Sequence, residues 1–265
     1  MRLDPTRPIA VPMYPEIEDV AINSRCLAGC PYCYTSATRS GKDFDRIVEK
    51  AHLCWGSLDP KDRPFQVAIG GAGESTMHAD WSEFVKEVSS LGIVPNYTTN
   101  GMHLTPSVLM ATEHHCGGVA VSYHPHIKRV FHRAISILSD VDVQLNAHVI
   151  IGEPGSLDQL KSLHAAHREQ VSHFVVLPYQ AAGRAKRVDC EPEWRDAFEW
   201  ISKTDEPHKF AFGALFHEWL LINKTNLNID LYEPEAMSGY RMMDDSYMTL
   251  RKSSYDLRPK ATATT

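Results

Sequence analysis

Short apolar runs alternate along this chain with longer stretches in which apolar residues recur at helical spacing. Val20-Ala21-Ile22 is the first run; Phe44, Ile47, Val48, Ala51, Cys54 and Trp55 follow at the i, i+3, i+4, i+7 spacing of a core-facing helix. Phe65 to Ile69 reads as a second, buried strand, and Trp81, Phe84, Val85, Val88 and Leu91 as the stripe of a second helix, opened by a capping signal at Asp80-Trp-Ser-Glu83. The alternation continues through a strand at Ile93 to Thr99, a helix opened by Thr105-Pro106, and a strand at Val119 to Ser122. Ile127, Val130, Phe131, Ala134 and Leu138 mark the next helix, Val143 to Ile151 a fifth strand, Ser156-Leu-Asp-Gln159 the cap of a fifth helix, and Phe174 to Leu177 a sixth strand. Strands separated by helical patterns of this length predict right-handed βαβ units and a parallel sheet. Six units predict a partial (β/α)6, TIM-like barrel of class α/β.

The character changes after residue 185. Trp194, Ala197, Phe198 and Ile201 predict a helix, and Tyr240 to Leu250 a hairpin with a polar turn. The expected organisation is an N-terminal extension over 1–15, a barrel core over 16–185, a small α+β cap over 186–257 and a disordered tail over 258–265. At 265 residues and 43% hydrophobic content the chain can build one sizeable core. A net charge of −6 with no basic tract argues against nucleic acid and anionic membranes as partners. No run of about 18 apolar residues suggests a membrane span, and Met1-Arg-Leu-Asp-Pro5 lacks the apolar region of a secretory signal. Six cysteines, three of them grouped, fit a metal site in a reducing compartment, which predicts a cytoplasmic protein.

Those three grouped cysteines, Cys26, Cys30 and Cys33, lie on one loop after the first strand, spaced CxxxCxxC. Three thiolates suit an iron–sulfur cluster with one iron left open, or a zinc site completed by His52, Cys54, Cys116 or Cys190. Helical spacing marks Cys54 as packing. The second strand runs into Gly70-Gly-Ala-Gly-Glu74-Ser-Thr76, a turn whose glycines let backbone approach a ligand. In α/β barrels the reacting groups sit at the carboxyl ends of strands. By that rule Thr99, Asn100, Ser122, Gly152, Glu153, Pro178, Tyr179 and Gln180 join the cysteine loop and the glycine turn as candidates. His124 and His126 face the same cavity after the fourth strand, and His148 within the fifth strand points toward the lumen, where either could bind substrate or relay a proton. The pair His114-His115, at a helix carboxyl end, reads as structural.

The loop CxxxCxΦC with aromatic Tyr32, followed by a GGxGE segment, resembles the radical S-adenosylmethionine (SAM) enzymes. The resemblance implies a 4Fe–4S cluster held by Cys26, Cys30 and Cys33, with SAM on the open iron. It also implies SAM contacts from Gly71, Gly73 and Glu74, from Asn100 and Ser122, and from Tyr32 and Pro178 beside adenine. Ser75 departs from the proline common in that family. Gln180-Ala-Ala-Gly-Arg184-Ala resembles the segment that precedes SPASM or Twitch extensions, but Cys190 alone cannot build their auxiliary clusters. The implied activity is reductive cleavage of SAM to a 5′-deoxyadenosyl radical and hydrogen abstraction from a small molecule or peptide, with a flavodoxin or ferredoxin as electron donor. A peptide-modifying maturase and a non-catalytic iron–sulfur redox or sensor protein are the alternatives.

Overall fold

A computed structural model describes residues 17–216, 219–220, 238–243 and 250–251. The elements follow the predicted order: β1 (Ile17–Ala21), α1 (Ile47–Ala51), β2 (Gln66–Ile69), α2 (Trp81–Ser90), β3 (Val94–Thr99), α3 (Pro106–His115), β4 (Gly118–Ser122), α4 (Lys128–Leu138), β5 (Gln144–Ile151), α5 (Ser156–His167) and β6 (His173–Pro178). Beyond them come α6 (Glu191–Lys203), β7 (Phe210–Phe212), β8 (Ser238–Met242) and β9 (Leu250–Arg251). Neighbouring strands from β1 to β7 pair in parallel, as a partial TIM-like barrel requires.

Strand residues alternate between the two faces. Along β5, Leu145, Ala147, Val149 and Ile151 are buried against the helices, leaving Asn146, His148 and Ile150 on the concave face. One core runs between sheet and helices. Its largest members include Trp55, Trp81, Phe84, Phe131 and Phe174, and Trp81 meets Tyr97 edge-on at 5.0 Å between ring centroids. Truncating such a ring to alanine costs about 3–5 kcal/mol.

Several local expectations need correction. The first helix starts at Ile47 and leaves out Phe44, because Arg46 adopts a left-handed conformation (φ 59°). It ends in a π-turn over His52–Gly56, which still carries Trp55 inward, its indole N–H 3.4 Å from a Glu18 carboxylate oxygen. Asp80 occupies the cap position of α2 but its side chain makes no cap bond; its backbone N–H donates instead to His78 Nδ1 at 3.0 Å. Ser156 is the first residue of α5 and does not cap it. That role falls to Glu193 of α6, whose carboxylate accepts the Gly155 and Leu157 N–H groups at 2.9 and 3.0 Å. Thr105 does cap α3, accepting from the Val108 N–H at 3.3 Å with Pro106 in the first turn.

The described part of 186–257 continues the sheet at both edges. The strand β7 pairs in parallel with β6, β8 pairs in parallel with β1, and β9 folds back on β8 as an antiparallel hairpin. Strand order is therefore β7-β6-β5-β4-β3-β2-β1-β8-β9. The expected extension 1–15, the tail 258–265 and much of the expected cap lie outside the described residues.

Candidate active site

The polar stretch after β1 leads directly into the cysteine loop. Cys26 N–H donates to the Thr38 carbonyl at 2.9 Å, closing the loop at its base, and Cys33 N–H donates to the Cys30 carbonyl at 3.3 Å. Cys30 is buried, and Cys26 and Cys33 are half-buried. Burial pushes the Cys30 thiol up to about 12, with the negative charges of Cys26 and Cys33 adding to the rise. Burial likewise raises Cys26, with Glu74 and Cys33 contributing. Three crowded thiols that oppose one another's ionisation are a donor set made for a cationic centre, because metal binding requires the thiolate forms. Among the described residues no three Cys, His, Asp or Glu side chains converge tightly enough for a single metal ion. A cubane asks less, since each thiolate meets a different iron. The residues present fit a cluster.

A set of hydrogen bonds locks this loop to the glycine turn. Asn23 Nδ2 donates to the Glu74 carbonyl and Glu74 N–H donates to the Arg25 carbonyl, both at 2.8 Å. Arg25 Nη2 reaches the Met77 carbonyl at 2.6 Å and the Asp43 carboxylate at 2.7 Å. Thr35 Oγ1 donates to the Ala72 carbonyl at 3.0 Å and lies 3.4 Å from Cys33 Sγ. Gly73 is required by this closeness: a Cβ there would fall 2.5 Å from Asn23 Oδ1 and 2.7 Å from the Arg25 carbonyl oxygen. Gly71 takes φ 91° at the exposed tip of the turn, a conformation open to glycine.

Glu74 is 3% exposed, and its carboxylate accepts Thr76 Oγ1 at 2.6 Å, Thr99 Oγ1 at 2.7 Å and the Asn100 N–H at 2.7 Å. Burial raises its pKa, and those three partners pull it down. The Thr76 backbone N–H contributes as well, so the carboxylate's about four acceptor positions are turned largely toward the protein's own donors. Asn100, held by Glu74, directs Nδ2 toward Cys26 Sγ at 3.5 Å. Ser122 and His148 are register partners on β4 and β5 and share the concave face. Burial pushes His148 down to about 4, so it is neutral at pH 7. Asn146 Oδ1, on the same face, is buried without a hydrogen-bond partner. Pro178 is buried on the helix-facing side of β6, and Leu177 is the member of that pair facing the concavity. The strand end expected beside adenine thus presents Leu177 to the concavity, with Pro178 next to it on the other face.

Tyr32 faces the β4 loop. Its hydroxyl lies 3.0 Å from His124 Nδ1, and its ring neighbours His126 and Tyr179. Burial lowers His124 to about 4, helped by His126, and burial raises the Tyr32 phenol, helped by Cys30 and Glu153. His126 Nε2 is 2.9 Å from the Ala28 carbonyl, fastening the cysteine loop to the end of β4. Asn23, Arg25, Thr35 and His126 in this role were not legible as site residues: each bonds a backbone carbonyl far along the chain, a pairing that no local spacing announces.

No family model matches the sequence. An 89-residue stretch is 26% identical to 7,8-dihydro-6-hydroxymethylpterin dimethyltransferase of Methanocaldococcus jannaschii, covering 33% of this chain and 18% of that protein. In structure the chain is similar to SuiB of Streptococcus suis bound to the precursor peptide SuiA, with a TM-score of 0.72 at 14% identity over 92% of this chain and 60% of SuiB. It is also similar to anSMEcpe with bound AdoMet and Cp18Cys peptide, with a TM-score of 0.58 at 12% identity over 80% of this chain and 67% of that one. The chain thus spans less than two thirds of SuiB and under a fifth of the methyltransferase. The fold shared with SuiB and anSMEcpe is a partial TIM-like barrel.

Proposed function

We propose that this protein is a radical SAM enzyme, with Cys26, Cys30 and Cys33 holding a 4Fe–4S cluster and SAM lying between the glycine turn and the ends of β3 to β6. The observation that carries this reading is the set of bonds from Asn23, Arg25 and Thr35 that fixes the CxxxCxxC loop against Ala72 to Glu74. An isolated electron-transfer cluster has no use for that second loop. Cluster and SAM together supply a 5′-deoxyadenosyl radical that abstracts hydrogen from a substrate.

The chain's own residues provide the setting. The Gly71 to Gly73 backbone and the negative charge of Glu74 suit the SAM ammonium, since charge-assisted hydrogen bonds are the strong ones. Tyr32 and Leu177 offer apolar surface for adenine, and Asn100 and Ser122 offer polar groups for the rest of the molecule. On the concave face, neutral His148 and the unpartnered Asn146 Oδ1 are placed to receive donors from a substrate. A flavodoxin or ferredoxin is the expected electron source, in the cytoplasm. Among the described residues no helix is long and apolar enough to cross a membrane.

A peptide-modifying reaction is the finer reading, favoured because SuiB and anSMEcpe were both solved with peptides. Small-molecule hydrogen abstraction is its rival. Anaerobic protein should hold close to four irons, and dithionite with SAM should yield 5′-deoxyadenosine. Deuterium transfer from labelled peptide or metabolite pools into that product would separate the two substrates. Stoichiometric zinc after anaerobic preparation would overturn the reading, and a reducible, SAM-binding cluster that never yields 5′-deoxyadenosine would favour the sensor alternative.

A further inference from the structure

The segment after β6 packs onto the cysteine loop in a way the SAM site does not explain. Arg184 N–H donates to the Cys33 carbonyl at 3.0 Å. Its guanidinium spans the same loop, Nε donating to the Cys30 carbonyl at 3.0 Å and Nη1 to the Ala37 carbonyl at 2.8 Å. Gly183 has φ 59°, and a Cβ there would collide with the carbonyl oxygens of Cys33 and Tyr34. Only glycine lets the segment lie this close.

Three bonds from one residue to three carbonyls of the cysteine loop fix the backbone beside Cys30 and Cys33. All three acceptors are neutral, and no carboxylate pairs with Arg184 among the described residues. Among the described residues no carboxylate neutralises the guanidinium, which sits against the backbone of the cysteine loop at Cys30. Arginine suits the task because its planar fork reaches two carbonyls at once and it stays charged; a lysine ammonium supplies the charge without the fork.

We propose that Arg184, seated by Gly183, is a positioning residue for the cluster loop, which it pre-forms in the apo protein and whose bound cluster it biases toward the reduced state by its fixed positive charge. The second half rests on the cluster assignment above; the first does not. Reduction adds negative charge, and net charge around a cluster is one of the levers that set its potential.

The test compares wild type with Arg184→Lys and Arg184→Gln. In the apo proteins, hydrogen–deuterium exchange is followed over residues 26–38. Both variants should exchange about tenfold faster there, as expected for the loss of charged hydrogen bonds, with the rest of the barrel unchanged. In anaerobically reconstituted proteins, an EPR-monitored redox titration should give a more negative midpoint for Arg184→Gln and a near wild-type midpoint for Arg184→Lys. Unchanged exchange in both variants overturns the pre-forming role, and a midpoint unmoved in Arg184→Gln overturns the charge role. Global loosening in Arg184→Gln leaves the decision with Arg184→Lys, where loop exchange matching wild type overturns the proposal. If wild type itself takes up no cluster, the cluster assignment fails while the apo exchange result still stands on its own.

Discussion

Glu74 joins three chain segments through one carboxylate: its own turn through Thr76, the end of β3 through Thr99, and the following loop through Asn100. Glu74→Gln puts an amide NH2 among these donors, so at least one is left unpaired in a buried place. We expect a loss of about 1–3 kcal/mol, read as a lower urea midpoint of the apo protein. An unchanged midpoint with weakened SAM binding would instead make Glu74 a ligand group alone. His148 and His124 offer a second test at this scale. Both are held near 4 by burial, against an ordinary value of about 6.5. The unfolded chain takes up their protons first as pH falls, so stability should drop from about pH 6.5 downward, and His148→Gln should flatten the slope. Solvent reaches Asp19, yet the surrounding protein and the adjacent Glu18 push its carboxyl up to about 6. Below about pH 6 it gains a proton in the folded state and offsets roughly half of the two histidines' uptake, so the loss begins near pH 6.5 and continues at a moderated slope toward pH 4. Residue identity announced the cysteines and glycines of the site because their chemistry is intrinsic. The three-way bonding of Glu74 was not announced, since its partners are brought there by the neighbouring strand.

At the scale of elements, α6 is tied to the loop that follows β5. Glu193 accepts from Gly155, Ser156 and Leu157, and Trp194 Nε1 donates to the Ile151 carbonyl at 2.7 Å. Burial opposes ionisation of Glu193, but the Leu157 and Gly155 N–H groups and Ser156 hold its carboxyl below the usual range. Glu193→Ala removes the cap of α5 and should cost about 0.5–2 kcal/mol, with faster hydrogen exchange over 152–157. Exchange confined to α6 would contradict that coupling. Apolar periodicity foretold the six strands and their helices because each must bury one face. It failed at helix ends: Asp80 and Ser156 have the residue types of caps, but the donors at those ends found partners elsewhere, His78 in one case and Glu193 in the other.

At the scale of the whole molecule, the described strands form one continuous sheet, and the expected division near residue 185 falls between β6 and α6. Removing the chain beyond Ala185 takes β7 from β6 and β8 from β1, and exposes the surface covered by Ala197, Phe198 and Ile201. Such a truncation should lower the thermal midpoint sharply and reduce soluble yield; a truncated protein that melts like the full chain would show that the segment is a separable cap. Pairing between β8 and β1 was illegible because strand partners distant in sequence leave no local trace. That pairing also has a history in time. Ile17 has Gln66 on one side and Ser238 on the other, so the strand that leads into the cysteine loop is synthesised well before the second of its two neighbours. Until then one edge of β1 stays open, a liability for off-pathway strand pairing. Iron delivered before β8 is made would meet a loop whose supporting strand is half-framed, so cluster insertion should follow the pairing of β8 with β1.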